Sequence, residues 1–342
     1  ARGKRASTMN VFELRRANAI GAAFEAGVSG SGPSAIGRFI AGGTTLVDLM
    51  HLEVERPNVL VDLNHLPFAE IERTPGGGLR IGALVRNADL AQHAIVKRDF
   101  AALSEALLSG ASAQLRNAAT TGGNVLQRTR CVYFRDAHSP CNKREPGSGC
   151  PAIAGYNRNL AVLGTSQHCI ATNPSDMNVA LSVLDATLEL QTAAATRSLP
   201  FRDFYVLPGA QPEIETVLAP NELIVAVTLP APPAGTRSTY VKLRDRASYE
   251  FALASAAVAL KLDGGALRNV RIALGGVGTR PWPALAAEQL LEGQAPTPER
   301  FRAAADAALL DAVPQSQNAF KIELVKRAMV AALTALTADA RA

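Results

Sequence analysis

Residues 38–46 read Arg38-Phe39-Ile40-Ala41-Gly42-Gly43-Thr44-Thr45-Leu46. Arg38 to Ala41 has the pattern of a short buried strand, and Gly42-Gly43 that of a tight turn. Thr44 or Thr45 is placed to cap a helix running through Leu46 and Met50. Strand, glycine turn and helix in immediate succession make an α/β unit. Paired glycines let backbone amides approach a ligand, and with neighbouring hydroxyls and a helix start they can surround phosphate oxygens. The stretch Arg116-Asn117-Ala118-Ala119-Thr120-Thr121-Gly122-Gly123-Asn124 repeats that logic. One Gly-Gly dipeptide is usually only a turn; two in the same context point to a diphosphate.

Outward from these turns, Val59–Asp62, Leu79–Gly82, Thr187–Leu190 and Leu223–Leu229 read as strands, interleaved with helical stretches such as Phe100–Leu108. The first two thirds are therefore mixed α and β. Pro230-Ala231-Pro232-Pro233-Ala234-Gly235 reads as a linker between two domains, expected at 9–230 and 236–340. Beyond it, Tyr240–Leu243, Phe251–Leu262 and Val270–Leu274 read as strands, with Asp263-Gly264-Gly265 as a hairpin turn. Three helical segments follow, the second opening on a Thr297 cap with Pro298 in the first helical position.

The chain has 342 residues, 48% hydrophobic and 19% charged, a composition that excludes disorder and collagen and fits two globular domains. The formal charge is +5, and aromatics are 5% of the chain without alternating with Lys or Arg. A nucleic-acid groove is therefore not expected. The apolar runs, such as Phe251 to Leu260, fall short of the ~18 residues that cross a bilayer. The first eight residues are basic and no long apolar segment follows, so no signal peptide is expected and Met9 is a candidate start.

All four cysteines lie in one stretch, at Cys131, Cys141, Cys150 and Cys169. This segment, an insertion at 130–170, is polar and shows little hydrophobic periodicity, and a loop that long is usually disordered or held by a ligand or cross-links. The C-x9-C-x8-C-x18-C spacing matches neither a zinc ribbon nor a bacterial ferredoxin. Soft thiolates suit zinc or an iron–sulfur cluster; two disulfides or four unligated thiols are the alternatives. His138 and His168 adjoin the set and could replace one ligand. No G-x-G-x-x-G, P-loop, H-E-x-x-H or G-x-S-x-G motif occurs, which removes the Rossmann, nucleotidase, metalloprotease and α/β-hydrolase readings.

Phe39 to Leu46, Arg116-Asn117 leading to Thr121-Gly122-Gly123-Asn124, and Pro174-Ser175-Asp176 together resemble the flavoprotein subunit of molybdenum hydroxylases, over essentially the whole chain from Met9. The four-cysteine insertion resembles that of bacterial periplasmic aldehyde oxidoreductases, whose flavin subunit carries an added [4Fe-4S] cluster. The resemblance implies an α/β (α+β) architecture: a vanillyl-alcohol-oxidase/PCMH-type FAD-binding domain of two subdomains, then a smaller C-terminal α/β domain of the CO-dehydrogenase-flavoprotein type. By position, Ile40, Ala41, Gly42, Gly43, Thr44, Thr45 and Leu46 would wrap the FAD diphosphate, and Thr121, Gly122, Gly123 and Asn124 would form a second wall. Asp176 would meet ribitol or ribose hydroxyls, Ile224 would pack near the isoalloxazine and Lys242 would approach its polar edge. Thr121 departs from the family, which more often has an apolar residue there, and adds a hydroxyl.

The same resemblance implies an electron-transfer role. A large partner subunit would hold the molybdenum cofactor and oxidise an aldehyde to a carboxylic acid, and a small one with two [2Fe-2S] centres would pass electrons to FAD in this chain, for delivery to an external acceptor. Cys131, Cys141, Cys150 and Cys169 would hold the [4Fe-4S] cluster, with a structural or interfacial role expected for it. A 4-hydroxybenzoyl-CoA reductase-like flavin subunit and a zinc-binding scaffold are the rival readings. Localisation by resemblance is periplasmic, through a partner's twin-arginine signal, with the cytoplasm as the alternative.

Overall fold

The computed structural model describes residues 9–26 and 37–338. The basic octapeptide at the start and the last residues of the expected second domain lie outside the described residues. Three sheets organise the chain. The first is parallel, with β1 (Glu13–Arg16), β2 (Gly37–Ile40) and β3 (Val59–Asp62) in the order β1-β3-β2. Its central strand, Val-Leu-Val-Asp, is the apolar one, as a strand covered on both sides requires. Helix α1 (Ile20–Glu25) follows β1, and α2 (Leu46–His51) crosses from β2 to β3.

The second sheet is antiparallel, with β4 (Ile71–Arg73), β5 (Leu79–Gly82), β6 (Thr187–Gln191), β7 (Thr196–Pro200) and β8 (Leu223–Leu229) in the order β4-β5-β8-β6-β7. Its central β8, Leu-Ile-Val-Ala-Val-Thr-Leu, is buried along almost its whole length. Between β5 and β6 the chain forms α3 (Asn87–Gln92), α4 (Ala94–Asp99), α5 (Ala101–Ser109), α6 (Ala113–Ala118), α7 (Thr121–Val125), α8 (Val132–Arg135) and α9 (Asp176–Val183). Helices α3, α5 and α9 share one apolar core with this sheet.

The third sheet is antiparallel: β9 (Thr236–Leu243), β10 (Ala254–Asp263), β11 (Ala266–Gly275) and β12 (Trp282–Pro283), in the order β12-β11-β10-β9. Strand β10 shows why it is rich in alanine. Ala257 and Ala259 face the core shared with α5 and α9, whereas Ala256, Val258 and Leu260 face α10 (Leu285–Leu291), α11 (Pro298–Ala308) and α12 (Phe320–Thr337). The side-chain period of two divides the strand between two cores. The β10–β11 turn places Gly264 and Gly265 at φ 57° and 79°, the left-handed pair that a two-residue hairpin needs. Thr297 accepts a hydrogen bond from the Arg300 amide, capping α11 as expected.

The proline-rich segment 230–235 has no regular structure and delivers the chain into β9. Ser238 accepts from the Ala102 amide, and Glu105 accepts from the Thr239 hydroxyl and the Tyr240 amide. The sheet that follows the linker is therefore bonded to α5. Among the described residues no helix is long and apolar enough to cross a membrane.

Candidate cofactor-binding site

A cleft of about 1340 Å³ lies between the Gly42-Gly43 turn, the Gly122-Gly123 turn, the start of β8 and the cysteine insertion. That exceeds the volume of ordinary small-ligand pockets, roughly 300–1,000 Å³, and suits an extended dinucleotide. Ile40, Ala41, Gly42, Gly43, Thr44, Thr45 and Leu46 all line it, together with Gly122, Gly123 and Ile224.

The first turn is built as an anion cradle. Gly43 sits at φ 71°, and no described residue accepts a hydrogen bond from the amides of Gly42, Gly43, Thr44, Thr45 or Leu46. Successive unpaired amides around a left-handed residue form the concavity that binds phosphate oxygens. Thr45 occupies the N-cap position of α2, but its side chain makes no cap, so the expected capping role is corrected: both threonines line the cleft. Gly42 has a different reason to be glycine. A Cβ there would stand 2.0 Å from the Ala118 carbonyl oxygen, so the glycine lets the two turns touch. Asn64 and Arg86 brace the same contact, since Asn64 donates to the Ala41 carbonyl and Arg86 to Asn64 Oδ1 and the Ala118 carbonyl.

The second turn is spent mostly on the protein. The Thr121 amide and hydroxyl both donate to the Val85 carbonyl, and the Gly122 amide donates to that of Ala83. The Gly123 amide donates to the Thr120 hydroxyl. Asn124 Oδ1 accepts from Ser175 and Gln127. Gly122 and Gly123 reach the cleft as bare surface, whereas Thr121 and Asn124 do not line it. The hydroxyl that sets Thr121 apart is thus turned inward.

Asp176 and Lys242 are also placed apart from the cleft. Lys242 Nζ donates to Asp176 Oδ2 at 2.7 Å and to the Ser109 carbonyl at 3.0 Å, and the Tyr240 hydroxyl donates to Asp176 Oδ1 at 2.5 Å. The side chains are 9% and 3% exposed, and neither lines the cleft. The two charges expected on the cofactor satisfy each other, Lys242 on β9 reaching Asp176 at the start of α9. Burial and the neighbouring Asp176 carboxylate push the Tyr240 phenol well above its ordinary range, so it stays a donor.

Sequence reading missed the charged wall of the cleft. Glu55 accepts from Arg38 and Arg128, and Glu215 accepts from Arg128 and from Lys143. These residues come from the β2 strand, the loop after α2, the segment between α7 and the insertion, the insertion itself and the loop before β8, so no local pattern announces them. Burial alone would raise the Glu215 carboxyl, but Arg128 and Lys143 outweigh it and hold the pKa down to about 2. A folded-state pKa below the ordinary 4.5 stabilises the fold above that pH, and the contribution is lost as pH falls towards 2. Glu215→Gln is expected to lower stability at pH 7 by about 2–3 kcal/mol and to flatten its loss between pH 5 and 3. Denaturant midpoints across that range measure it, and a variant with the unaltered acid profile would show that Glu215 is not the group responsible.

The insertion is ordered. Its only regular element among the described residues is α8, and side chains hold the rest. Arg144 donates to the carbonyls of Tyr133, Phe134 and Ser139, and Asn157 bonds to Ala152, Gly155 and Ser316. Buried backbone groups without a ladder need such partners. Cys131, Cys141, Cys150 and Cys169 all line one small cavity in its apolar centre, packed against Leu49 of α2 and Val54. No disulfide joins them. His168 lines the same cavity, whereas the His138 side chain is 96% exposed.

One backbone amide bonds directly to a sulfur, Ala171 to Cys169 Sγ at 3.5 Å, and the nearby amides of Phe134 and Tyr133 at Cys131, and of Ala152, Ile170 and Ile153 at Cys150, act in the same direction by favouring the thiolate. Amides aimed at sulfur favour thiolate, and so does metal. Burial works against ionisation and pushes the Cys131 thiol up to about 11, with Cys150 and Cys169 raised in the same direction. Loading a metal must therefore expel these protons. Among the described residues no three His, Cys, Asp or Glu side chains converge closely enough to hold a single metal ion. Cys169, Ala171 and Lys143 line both this cavity and the large cleft, so the two sites share a wall.

Residues 11–232 match the family model described as the FAD binding domain in molybdopterin dehydrogenase, and residues 238–336 match the CO dehydrogenase flavoprotein C-terminal domain. The chain is similar to the aldehyde oxidoreductase FAD-binding subunit PaoB of Escherichia coli (strain K12), 54% identical over 305 residues that cover 89% of this chain and 92% of that one. It is 28% identical to the carbon monoxide dehydrogenase medium chain of Hydrogenophaga pseudoflava over 303 residues, 86% and 88% of the two chains. A solved structure of carbon monoxide dehydrogenase from Hydrogenophaga pseudoflava superposes with a TM-score of 0.75 and 26% identity, covering 97% of this chain and 99% of its counterpart.

Proposed function

Because the chain belongs to the FAD-binding subunits of the molybdenum hydroxylases, we propose that it is the FAD- and [4Fe-4S]-containing electron-transfer subunit of an aldehyde oxidoreductase. Its partners are a large subunit holding the molybdenum cofactor, where an aldehyde and water become a carboxylic acid with release of two electrons and two protons, and a small subunit with two [2Fe-2S] centres. The similarity to an aldehyde oxidoreductase subunit over nearly the full length of both chains supports the reaction class. The convergence of four cysteines on one cavity, with the Ala171 amide donating to Cys169 Sγ, supports the cluster. Their spread favours a cluster, in which each thiolate takes its own iron, over one zinc ion binding all four at about 2.3 Å.

FAD bound here would supply the two-electron redox chemistry that links the iron–sulfur centres to an external acceptor. The chain's own residues bind and orient it. The amides from Gly42 to Leu46 and the hydroxyls of Thr44 and Thr45 would hold the diphosphate, Gly122 and Gly123 would let it lie close, and Ile224 adds an apolar residue to the cleft lining. Thr121, Asn124, Asp176 and Lys242 would act behind that wall. Cys131, Cys141, Cys150 and Cys169 would be the cluster ligands.

The test is an anaerobic visible spectrum with released flavin, iron and acid-labile sulfide counted on the same sample. About one FAD with about four irons and four sulfides per chain is expected for one [4Fe-4S] centre on four cysteines. Cys150→Ser is expected to lower iron and sulfide while leaving FAD in place, and unchanged iron would refute ligation by Cys150. Zinc or disulfides in protein purified without oxygen would overturn the cluster.

A further inference from the structure

Of the residues lining the four-thiol cavity, Lys143 has no obvious reason to be a lysine. Its side chain is only 11% exposed, and among the described residues no other Lys or Arg lines that cavity. Burying an ammonium group is costly unless its surroundings use the charge. Nζ donates to the Pro212 carbonyl at 2.8 Å and pairs with Glu215 Oε1 at 3.1 Å. Glu215 is also bonded to Arg128, which lies over the Phe134 ring at 4.5 Å. Glu215 is thus shared between Arg128 and Lys143, and Glu55 between Arg38 and Arg128, so this network joins three cations to two carboxylates, with Lys143 at the end that lines the cavity of Cys169.

We propose that Lys143 is a positioning residue for the thiolate set, fixing a positive charge at the wall between the thiol cavity and the flavin cleft and thereby raising the reduction potential of the centre that Cys169 helps to hold. The inference rests on the reading that the four cysteines bind an iron–sulfur cluster. Its physical basis is Coulombic: reduction adds negative charge to a centre already bearing four thiolates, and a buried cation lining the same cavity stabilises the reduced form more than the oxidised one. Glu215 is then a counterweight, and its removal should act in the opposite direction.

The experiment is an EPR-monitored redox titration of the anaerobically purified complex, with iron and sulfide counted on each sample. Lys143→Gln is expected to shift the cluster to lower potential, by at least a tenfold change in the oxidised-to-reduced ratio at fixed potential, 59 mV for a one-electron centre. Lys143→Arg should restore most of the potential, and Glu215→Gln should raise it. A loaded Lys143→Gln centre with the wild-type potential overturns the inference while the cluster reading stands. If Lys143→Gln retains no iron beyond that of the small subunit's two [2Fe-2S] centres, a Glu215→Gln potential that fails to rise overturns it instead. Absence from the unmodified complex of the four irons and four sulfides beyond those of the small subunit's two [2Fe-2S] centres brings down the cluster reading and the inference together.

Discussion

A Gly43→Asp variant is expected to lose its FAD, with affinity falling at least about 100-fold, or roughly 2.7 kcal/mol. Two effects act together. Gly43 sits at φ 71°, where an L side chain is strained, and an added Cβ would meet the Val47 side chain at 3.2 Å. The larger effect is electrostatic, because a carboxylate set among the unpaired amides of residues 42–46 would stand where the diphosphate is expected. At a separation of about 4 Å in a partly screened site, one pair of like charges costs on the order of 4 kcal/mol. Gly43→Asn separates the two effects, since it has nearly the same shape and backbone strain without the charge. Flavin released per folded chain should be near zero for Asp and substantial for Asn. Full flavin occupancy in Gly43→Asp would remove the diphosphate from this turn.

Asp176→Ala is expected to destabilise the protein by about 3–5 kcal/mol, because it leaves the Lys242 ammonium buried without its counter-charge. Lys242 is 3% exposed and holds only the Ser109 carbonyl once the carboxylate is gone. The Tyr240 hydroxyl loses its acceptor in the same step. The double variant Asp176→Ala/Lys242→Met should recover most of the loss, since an apolar side chain of similar length fills the space without a charge to compensate. Denaturant unfolding of the four proteins in the cycle measures the coupling. Were Asp176→Ala to keep full stability yet release FAD, the carboxylate would be acting on the cofactor and the pairing with Lys242 would be secondary.

These two positions show where local reading succeeds and where it stops. Gly42-Gly43 was legible as a turn because a strand, two glycines and a helix follow one another within a few residues, and backbone sterics act at that range. Which task each glycine performs was not. Gly43 supplies a left-handed backbone, whereas Gly42 admits the Ala118 carbonyl from a segment far along the chain. Asp176 and Lys242 looked like two separate cofactor contacts. A charged residue carries the same letter whether it faces a ligand, water or another charge.

The sequence by itself determined the strand–turn–helix unit at residues 38–51, the Gly264-Gly265 hairpin, the Thr297-Pro298 helix start and the confinement of all four thiols to one insertion. Each depends on interactions between near neighbours, or on composition alone. Only the tertiary structure decided that the thiols surround one cavity sharing a wall with the cleft, that Glu55, Arg128, Glu215 and Lys143 form one ionic network, and that the amides of the second glycine turn are already spent. Those features arise when sheets and helices bring distant residues within bonding distance, and the cost of burying an unpaired charge or amide then selects the partner.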